Sequence, residues 1–337
     1  MFGIAAHLIP ERQRRTLDEL VDRLDLNSGD VRSKQSAFWI MLTLSAIIAV
    51  AGVIGDSTAT VIGAMIVAPL STPILGIGLG IVSGRGRLVA TSVAYVLAGV
   101  VVVTVLGVLF AQVLPNPTNV LTNSQVQGRT SPTVVDLVAA LATGLVGAVA
   151  VTRRDVGDVL PGVAIAISLV PPLGVVGVCL GSGAPSLALG AFVLFASNVV
   201  AMVITAVIVF TVAGIARPEA DSTPRSAAPH SAPRRARAYT VLLVALVVVA
   251  VPMVINSLTS LWAGQVADAT RDWLDSAGVA SAEVTDVAWS GDTVTVNVLA
   301  PGALPPIDSL HRTVDGLVPW DPQLVVVHTT GSRESAN

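Results

Sequence analysis

"GDSTATVIGAMIVAPLSTPILGIGLGIVSG", residues 55–84, decides how this chain must be read. The stretch is too apolar for a soluble loop, yet Pro69, Pro73 and six glycines interrupt it, and its single charge, Asp56, stands at its front edge. A proline inside a helix leaves a carbonyl without its partner. In hydrocarbon that loss is expensive, so such a segment is tolerated only where protein or a water-filled cavity meets the freed backbone.

The rest of the sequence says that hydrocarbon is the right solvent. Of 337 residues, 53% are hydrophobic and only 12% are charged, and the mean hydropathy is +0.78. Ordinary soluble domains are about 25% charged. Between Asp56 and Arg129 the only charges are Arg85 and Arg87, the profile of a polytopic membrane protein with the lipid bilayer as its first partner. A net charge of −3 gives no reason to expect a nucleic-acid partner. One cysteine, Cys179, excludes an intrachain disulfide and a cysteine zinc site. His7, His230, His311 and His328 fall in terminal, linker or soluble regions, and no His/Cys/Asp/Glu group has metal-ligand spacing. "GIGLG" ends a membrane segment with no βαβ unit after it, and "GRG" lacks the lysine and hydroxyl of a phosphate loop. No catalytic residue, metal or cofactor is therefore expected, and the chain does not read as an enzyme.

Seven apolar segments are long enough to cross a bilayer, at about 20 residues each. They lie near 37–54, 58–83, 88–114, 133–152, 159–180, 186–213 and 238–258. Arg12, Arg14, Arg15, Arg23, Arg32 and Lys34 precede the first. Arg85 and Arg87 follow the second, Arg153 and Arg154 the fourth, and Arg217 through Arg237 the sixth; the opposite loops hold only Arg129. By the positive-inside rule the N-terminus is cytoplasmic and the C-terminal part extracytoplasmic, as in a multi-pass protein of the inner (plasma) membrane. Charged residues fill positions 11–34, so no cleaved signal peptide is expected.

The expected organisation follows. Residues 1–36 form a cytoplasmic segment in which Leu17, Leu20, Val21 and Leu24 share one helical face, suited to lying on the membrane or packing under the bundle. Residues 37–114 are a first membrane repeat, 115–132 an outer loop and 133–216 a second repeat. Residues 217–237 are a Pro/Ala/Ser/Arg linker unable to bury a core, and 238–258 a seventh helix. The fold class is an all-α membrane bundle carrying, at 259–337, a small α+β domain of order α-β-β-α-β. There Trp262, Val266, Ala269 and Trp273 mark a helix, Val284–Trp289 and the alternating Val294, Val296, Val298 two strands joined through "SGD", Ile307–Leu317 a helix and "QLVVVHT" a strand.

The opening stretch has a partner. Residues 154–183, "RDVGDVLPGVAIAISLVPPLGVVGVCLGSG", align with 55–84 at a constant shift of 99 without gaps, and eight of the thirty positions are identical. Composition this biased gives roughly three by chance. The identities are Asp56/Asp155, Gly63/Gly162, Ile66/Ile165, Leu70/Leu169, Pro73/Pro172, Gly78/Gly177, Ser83/Ser182 and Gly84/Gly183. Three spans used twice must enter the membrane from opposite sides, which predicts an inverted 3+3 repeat, an architecture of secondary transporters.

Two interrupted helices at matched positions point to a binding site at the repeat interface. The candidate pathway residues are Pro69, Ser71, Thr72 and Pro73 in the first copy and Ser168, Pro171 and Pro172 in the second, with Asn198 in span six as the most interior strongly polar side chain. Asp56, Ser57 and Thr58 at one mouth and Asp155 and Asp158 at the other complete the set. Each has a plainer reading: prolines that merely kink a helix, carboxylates that cap a helix or pair with Arg153 or Arg154, and an asparagine that bonds one helix to another.

In "IGDSTATVIGAMIVAPLSTPILGIGLGIVSG" and "ALATGLVGAVAVTRRDVGDVLPGVAIAISLVPPLGVVGVCLGSG" the chain resembles the domain-of-unknown-function 389 family of hydrophobic bacterial and archaeal membrane proteins, over roughly residues 37–213. The resemblance implies that Asp56, Ser57, Pro69 and Pro73 belong to one family motif and Arg153, Asp155, Pro161, Pro171 and Pro172 to a second; it supports the membrane placement and brings no activity. The function expected is a transporter or channel for a small solute or ion, with a homo-oligomer plausible for glycine-rich spans. The alternative is a non-transporting scaffold or sensor whose extracytoplasmic domain binds a partner or envelope component.

Overall fold

The computed structural model describes residues 10–113, 122–156, 169–215, 231–279, 282–290, 292–318, 320 and 322–331. The chain divides into two compact units, Met1–Met253 and Val254–Asn337.

The first unit begins with a short helix, α1 (Leu17–Leu24). Thr16 starts it with a capping box: its hydroxyl accepts from the Glu19 N–H, and the Glu19 carboxylate accepts from the Thr16 N–H. Leu20 and Leu24 are buried and join the core of the apolar bundle, so the amphipathic face packs against protein. Asp30 then caps α2 (Val31–Ile54), which takes in residues 31–36 of the segment expected to precede the membrane.

The stretch that opened the sequence reading is two helices, α3 (Thr58–Val67) and α4 (Ser71–Ser83), bent by 47° at the intervening residues. After them come α5 (Gly86–Val113), α6 (Ser124–Thr130), α7 (Val134–Thr152), α8 (Val170–Gly181), α9 (Pro185–Val212) and α10 (Ser231–Ser276). Among the described residues α2, α5, α7, α9 and α10 are long and apolar enough to cross a membrane, and the bent α3/α4 pair makes six if counted as one span. The fifth expected span is represented by α8 alone, because residues 157–168 lie outside the described set.

Three further boundaries differ from expectation. The loop assigned to 115–132 contains α6, started by Asn123, whose side chain accepts from the Val126 N–H. Residues 231–237, assigned to the linker, are helical. The helix expected near Trp262 is not separate but the end of α10, which runs unbroken for 46 residues through Pro252. The eight residues "INSLTSLW" after Val254 contain no glycine or proline to stop it, and a proline inside an apolar helix is tolerated when neighbouring groups meet the freed carbonyl.

Helix packing in this unit depends on missing side chains. α8 packs on α5 and α2, and α9 packs on α7 and α4. A Cβ on Gly177 of α8 would stand 2.4 Å from the Thr104 carbonyl oxygen and 2.7 Å from Gly107 Cα on α5. A Cβ on Gly78 of α4 would stand 2.6 Å from the Ala206 methyl on α9. Small residues bring backbones together where lipid supplies no hydrophobic drive.

α4 and α8 also start and stop alike. Leu70 and Leu169 precede their first residues in right-handed conformation. Gly84 (φ 73°) and Gly183 (φ 75°) end them in the left-handed region that glycine enters without strain. The Arg85 N–H then reaches back to the Gly80 carbonyl at 2.9 Å, and the Ala184 N–H to the Cys179 carbonyl at 2.8 Å, the closing bond of a Schellman turn.

The second unit contains the end of α10, β1 (Glu283–Ser290), β2 (Thr293–Ala300), α11 (Ile307–Asp315) and β3 (Gln323–Thr330). The sheet order is β1-β2-β3, with β1 antiparallel and β3 parallel to β2. Val294, Val296, Val298 and Ala300 alternate inward and meet Val266 and Leu274 of α10 and Leu310 and Val314 of α11. This is the α-β-β-α-β order expected, and Trp262, Trp289 and Trp320 join it in edge-on and tilted contact.

Candidate functional site

The break in the first membrane segment comes from Pro69. α3 stops at Val67, and Ala68–Leu70 carry the chain into α4. Pro73 sits in the first turn of α4, where a missing N–H costs nothing, so it starts a helix and breaks none. Pro171 and Pro172 occupy the same place in α8. Carbonyls in the last turn of α3 run out of helical donors, and a neighbour meets one of them: the Ser45 hydroxyl on α2 donates to the Ala64 carbonyl at 2.8 Å, fully buried.

Around this break Leu70 and Pro73 are buried, while Pro69, Ser71 and Thr72 are half-buried. Leu70 and Leu169 belong to one continuous apolar cluster, so the two proline stretches share a core. Asn198 is buried on α9, 4% exposed. Asp158 and Ser168 fall outside the described residues. Among the described residues there is no group of His, Cys, Asp and Glu that could hold a metal.

The two aspartates related by the 99-residue shift lie at opposite ends of α2. The Arg15 N–H bonds to the Thr152 carbonyl at 2.8 Å, and Lys34 at the start of α2 pairs with Asp22 of α1 at 2.7 Å. Asp155 is therefore at the end where α2 begins, and Asp56 follows its last residue. Twenty-four residues of helix rise about 36 Å.

At its end, Asp56 does not cap α3; Ser57 does, accepting from the Thr60 N–H. Asp56 instead adopts φ 48°, an uncommon conformation for a residue with a side chain. Its carboxylate accepts from the Ser124 hydroxyl at 2.7 Å and the Gln125 N–H at 3.2 Å. Gln125 also donates to the Thr58 hydroxyl at 2.8 Å, and Asn123 donates to the Val53 carbonyl at 2.7 Å. α6 is thus a short helix fastened to the α2–α3 corner by Asp56 and Thr58. Asn123 is the local sign of α6, a residue type suited to capping, and nothing local in the sequence points to its partners 67 to 70 positions upstream.

At the other end the fastener is the N-terminal segment. Arg14 and Arg153 form an antiparallel bridge, and the Arg154 N–H bonds to the Gln13 carbonyl at 2.8 Å. Arg14 also donates through its guanidinium to the Ala213 carbonyl at 2.6 Å, just past α9. Arg154 pairs with Glu19 at 2.8 Å, Arg153 with Asp155 at 2.6 Å, and Arg85 approaches Asp18 at 3.9 Å. Of the two partners expected for Asp155, the structure selects Arg153. Arg14, Arg15, Arg85, Arg153 and Arg154 thus gather at one end, with Arg129 at the other beside Gln125.

These contacts shift titrations. Hydrogen bonding from Ser124 holds Asp56 below the usual carboxylate range. Arg154 does the same for Glu19 and Arg153 for Asp155. A depressed carboxylate contributes stability above its unfolded pKa and loses it as pH falls through the folded value. The N-terminal fastening is therefore whole at neutral pH and releases below about pH 4. Pepsin should leave Leu20 and Leu24 uncut at pH 5 and cut there as the pH drops further; Glu19→Gln should be cut already at pH 5. Equal protection of both proteins across that range would contradict the assignment.

With the geometry in place, the comparison with known proteins is specific. Residues 65–204 match the family model described as a domain of unknown function, DUF389. Over that range the chain is similar to the DUF389 family. The matched part runs from the last turn of α3 into α9 and is narrower than the 37–213 expected. It includes Pro69, Ser71, Thr72, Pro73, Asp155, Pro171, Pro172 and Asn198, whereas Asp56, Ser57 and Thr58 lie just ahead of it. The chain is also 30% identical over 209 residues to the uncharacterized protein MJ0678 of Methanocaldococcus jannaschii, an alignment that spans 61% of this chain and 64% of that protein. No solved structure matches the chain.

Proposed function

We propose that the DUF389-like region and its flanking helices form a transporter or channel for a small solute or ion, built as two inverted three-helix copies with the pathway between their proline stretches. The observation that carries this reading is the set of contacts repeating at the 99-residue shift. Gly78 against Ala206 becomes Gly177 against Gly107, since 78 + 99 = 177 and 107 + 99 = 206. A contact from copy one to copy two that recurs from copy two to copy one is the relation a two-fold axis produces. The matched turns at Gly84 and Gly183 and the positions of Asp56 and Asp155 at opposite ends of α2 support inversion. An axis in the membrane plane, with broken helices beside it, is where such transporters bind their cargo. The arginine-bearing end is then cytoplasmic. In this state both mouths are fastened, one by α6 through Asp56 and the other by the N-terminal segment through Glu19 and Arg154.

The test is flux through purified full-length protein in liposomes, with protons, inorganic ions and small metabolites as probes. Flux above that of empty liposomes is expected, and Pro69→Ala, which lets α3 and α4 join, should lower it toward the empty-liposome level. A truncation lacking residues 259–337 should retain flux. Absence of flux for every probe would overturn the reading and favour a scaffold acting through its C-terminal unit.

A further inference from the structure

The search for further sites leads to a groove between α9 and α10. It has a volume of about 470 Å³ and a lining that is almost wholly hydrocarbon. Ile204, Ile208 and Val212 of α9 face Leu243 and Leu246 of α10 across it. Several are strongly solvent-exposed for their type, Leu243 at 62% and Ile208 at 52%. Both helices are of membrane-spanning length and apolarity, so the groove opens to acyl chains and not to water.

One end of the groove carries hydroxyl groups and has arginines next to its lining positions. Thr211 and Tyr239 line it there, since Val212 and Tyr239 are the lining positions nearest the link between the two helices. Arg237 is exposed two residues before Tyr239. Arg14, through its bond to the Ala213 carbonyl, places a second guanidinium one residue past Val212. From Ile204 to Val212 the helix rises about 12 Å, most of one leaflet of a hydrocarbon core about 30 Å thick. A tyrosine at the depth where hydrocarbon meets headgroups is a common interfacial anchor, and a guanidinium binds phosphate by forked hydrogen bonds.

We infer that this groove is a binding site for a single glycerophospholipid with an anionic headgroup, one acyl chain lying between α9 and α10 and its phosphate at Arg237 and Arg14. The site does not depend on the proposed pathway. Its occupant joins α10 to the bundle, as only 11% of the apolar window of α10 is buried within the protein.

Two experiments on the full chain decide it. Protein in phosphatidylglycerol nanodiscs containing a small fraction of lipid with a diazirine on the acyl chain is irradiated and digested. Adducts concentrated on 204–212 and 239–246 support the site, whereas adducts spread evenly along the exposed face of α10, at Val241 and Val248 as much as at Leu243, overturn it. In the second, native mass spectra of detergent-purified protein should show one retained phospholipid, with phosphatidylglycerol kept at least tenfold over phosphatidylcholine. Arg237→Gln should erase that preference, and Ile208→Trp with Leu243→Trp should fill the groove and expel the lipid. Equal retention of both lipids by the wild type, or a protein dimer linked through a cysteine placed at Leu243 in place of any lipid adduct, would replace the lipid with a different occupant and sink the proposal.

Discussion

Gly190→Ala will throw α6 off the bundle. A methyl at position 190 would lie 1.8 Å from the Thr130 carbonyl oxygen and 2.7 Å from its carbon, both backbone atoms that no rotamer change can move. One of the two elements must yield. α9 is 28 residues long and held along its length by α7 and α4, whereas α6 has seven residues. The short element gives way, and with it go the Ser124 and Gln125 bonds to Asp56 and the Asn123 bond to Val53. Trypsin reports this directly, because Arg129 is half-buried and hydrogen-bonded to Gln125 while α6 is in place. Cleavage after Arg129 should go from slow to rapid while the rest of the bundle stays resistant. If Arg129 stays protected in the variant, α6 does not close over α9 as described.

Gly177→Val should strongly destabilise the bundle. Its Cβ would meet the Thr104 oxygen at 2.4 Å and Gly107 Cα at 2.7 Å, again backbone, with two further methyls behind it. Overpacking a well-packed core costs about 1–3 kcal/mol where side chains can adjust; here only the separation of α5 from α8 can, so the penalty belongs at or above the top of that range. Gly63→Ala is the matched control: nothing lies within 4 Å of the position on α3, and exchanging glycine for alanine within a helix gains up to about 1 kcal/mol. Monodisperse yield after gel filtration should collapse for Gly177→Val and hold or rise for Gly63→Ala. Comparable yields for the two would mean that α5 and α8 do not touch at Gly107 and Gly177.

How much of this was legible beforehand depends on whether the signal was local. The proline break at 68–70 could be read because the cause, a missing N–H in an apolar run, is in the residues themselves. So could the three strands, of which β2 carries the alternating valines that face one side. Two roles came out differently because local rules permit more than one outcome. Asp56 stands where a capping residue would, yet Ser57, one position on, takes that task and frees Asp56 for α6. Pro73 looked like a second breaker, but the helix begins two residues earlier and absorbs it. The fasteners at the two ends were out of reach: Arg154 with Glu19 and Asp56 with Ser124 join residues 135 and 68 positions apart, and no periodicity encodes such pairs. The 46-residue α10 escaped for the opposite reason, since helix termini are recognised by stop signals and here neither Pro252 nor Gly264 ends the helix.

The two glycine seams differ by one methyl. Where Gly177 meets Gly107, backbone rests on backbone with no side chain between; where Gly78 meets Ala206, a Cβ projects into the joint. The first seam can slide without any rotamer having to turn, while the second catches on a fixed knob. If the copies trade conformations to expose the pathway first to one side and then to the other, the exchange is not between equals: its two end states differ in energy, and the protein rests preferentially toward one face of the membrane even with nothing bound.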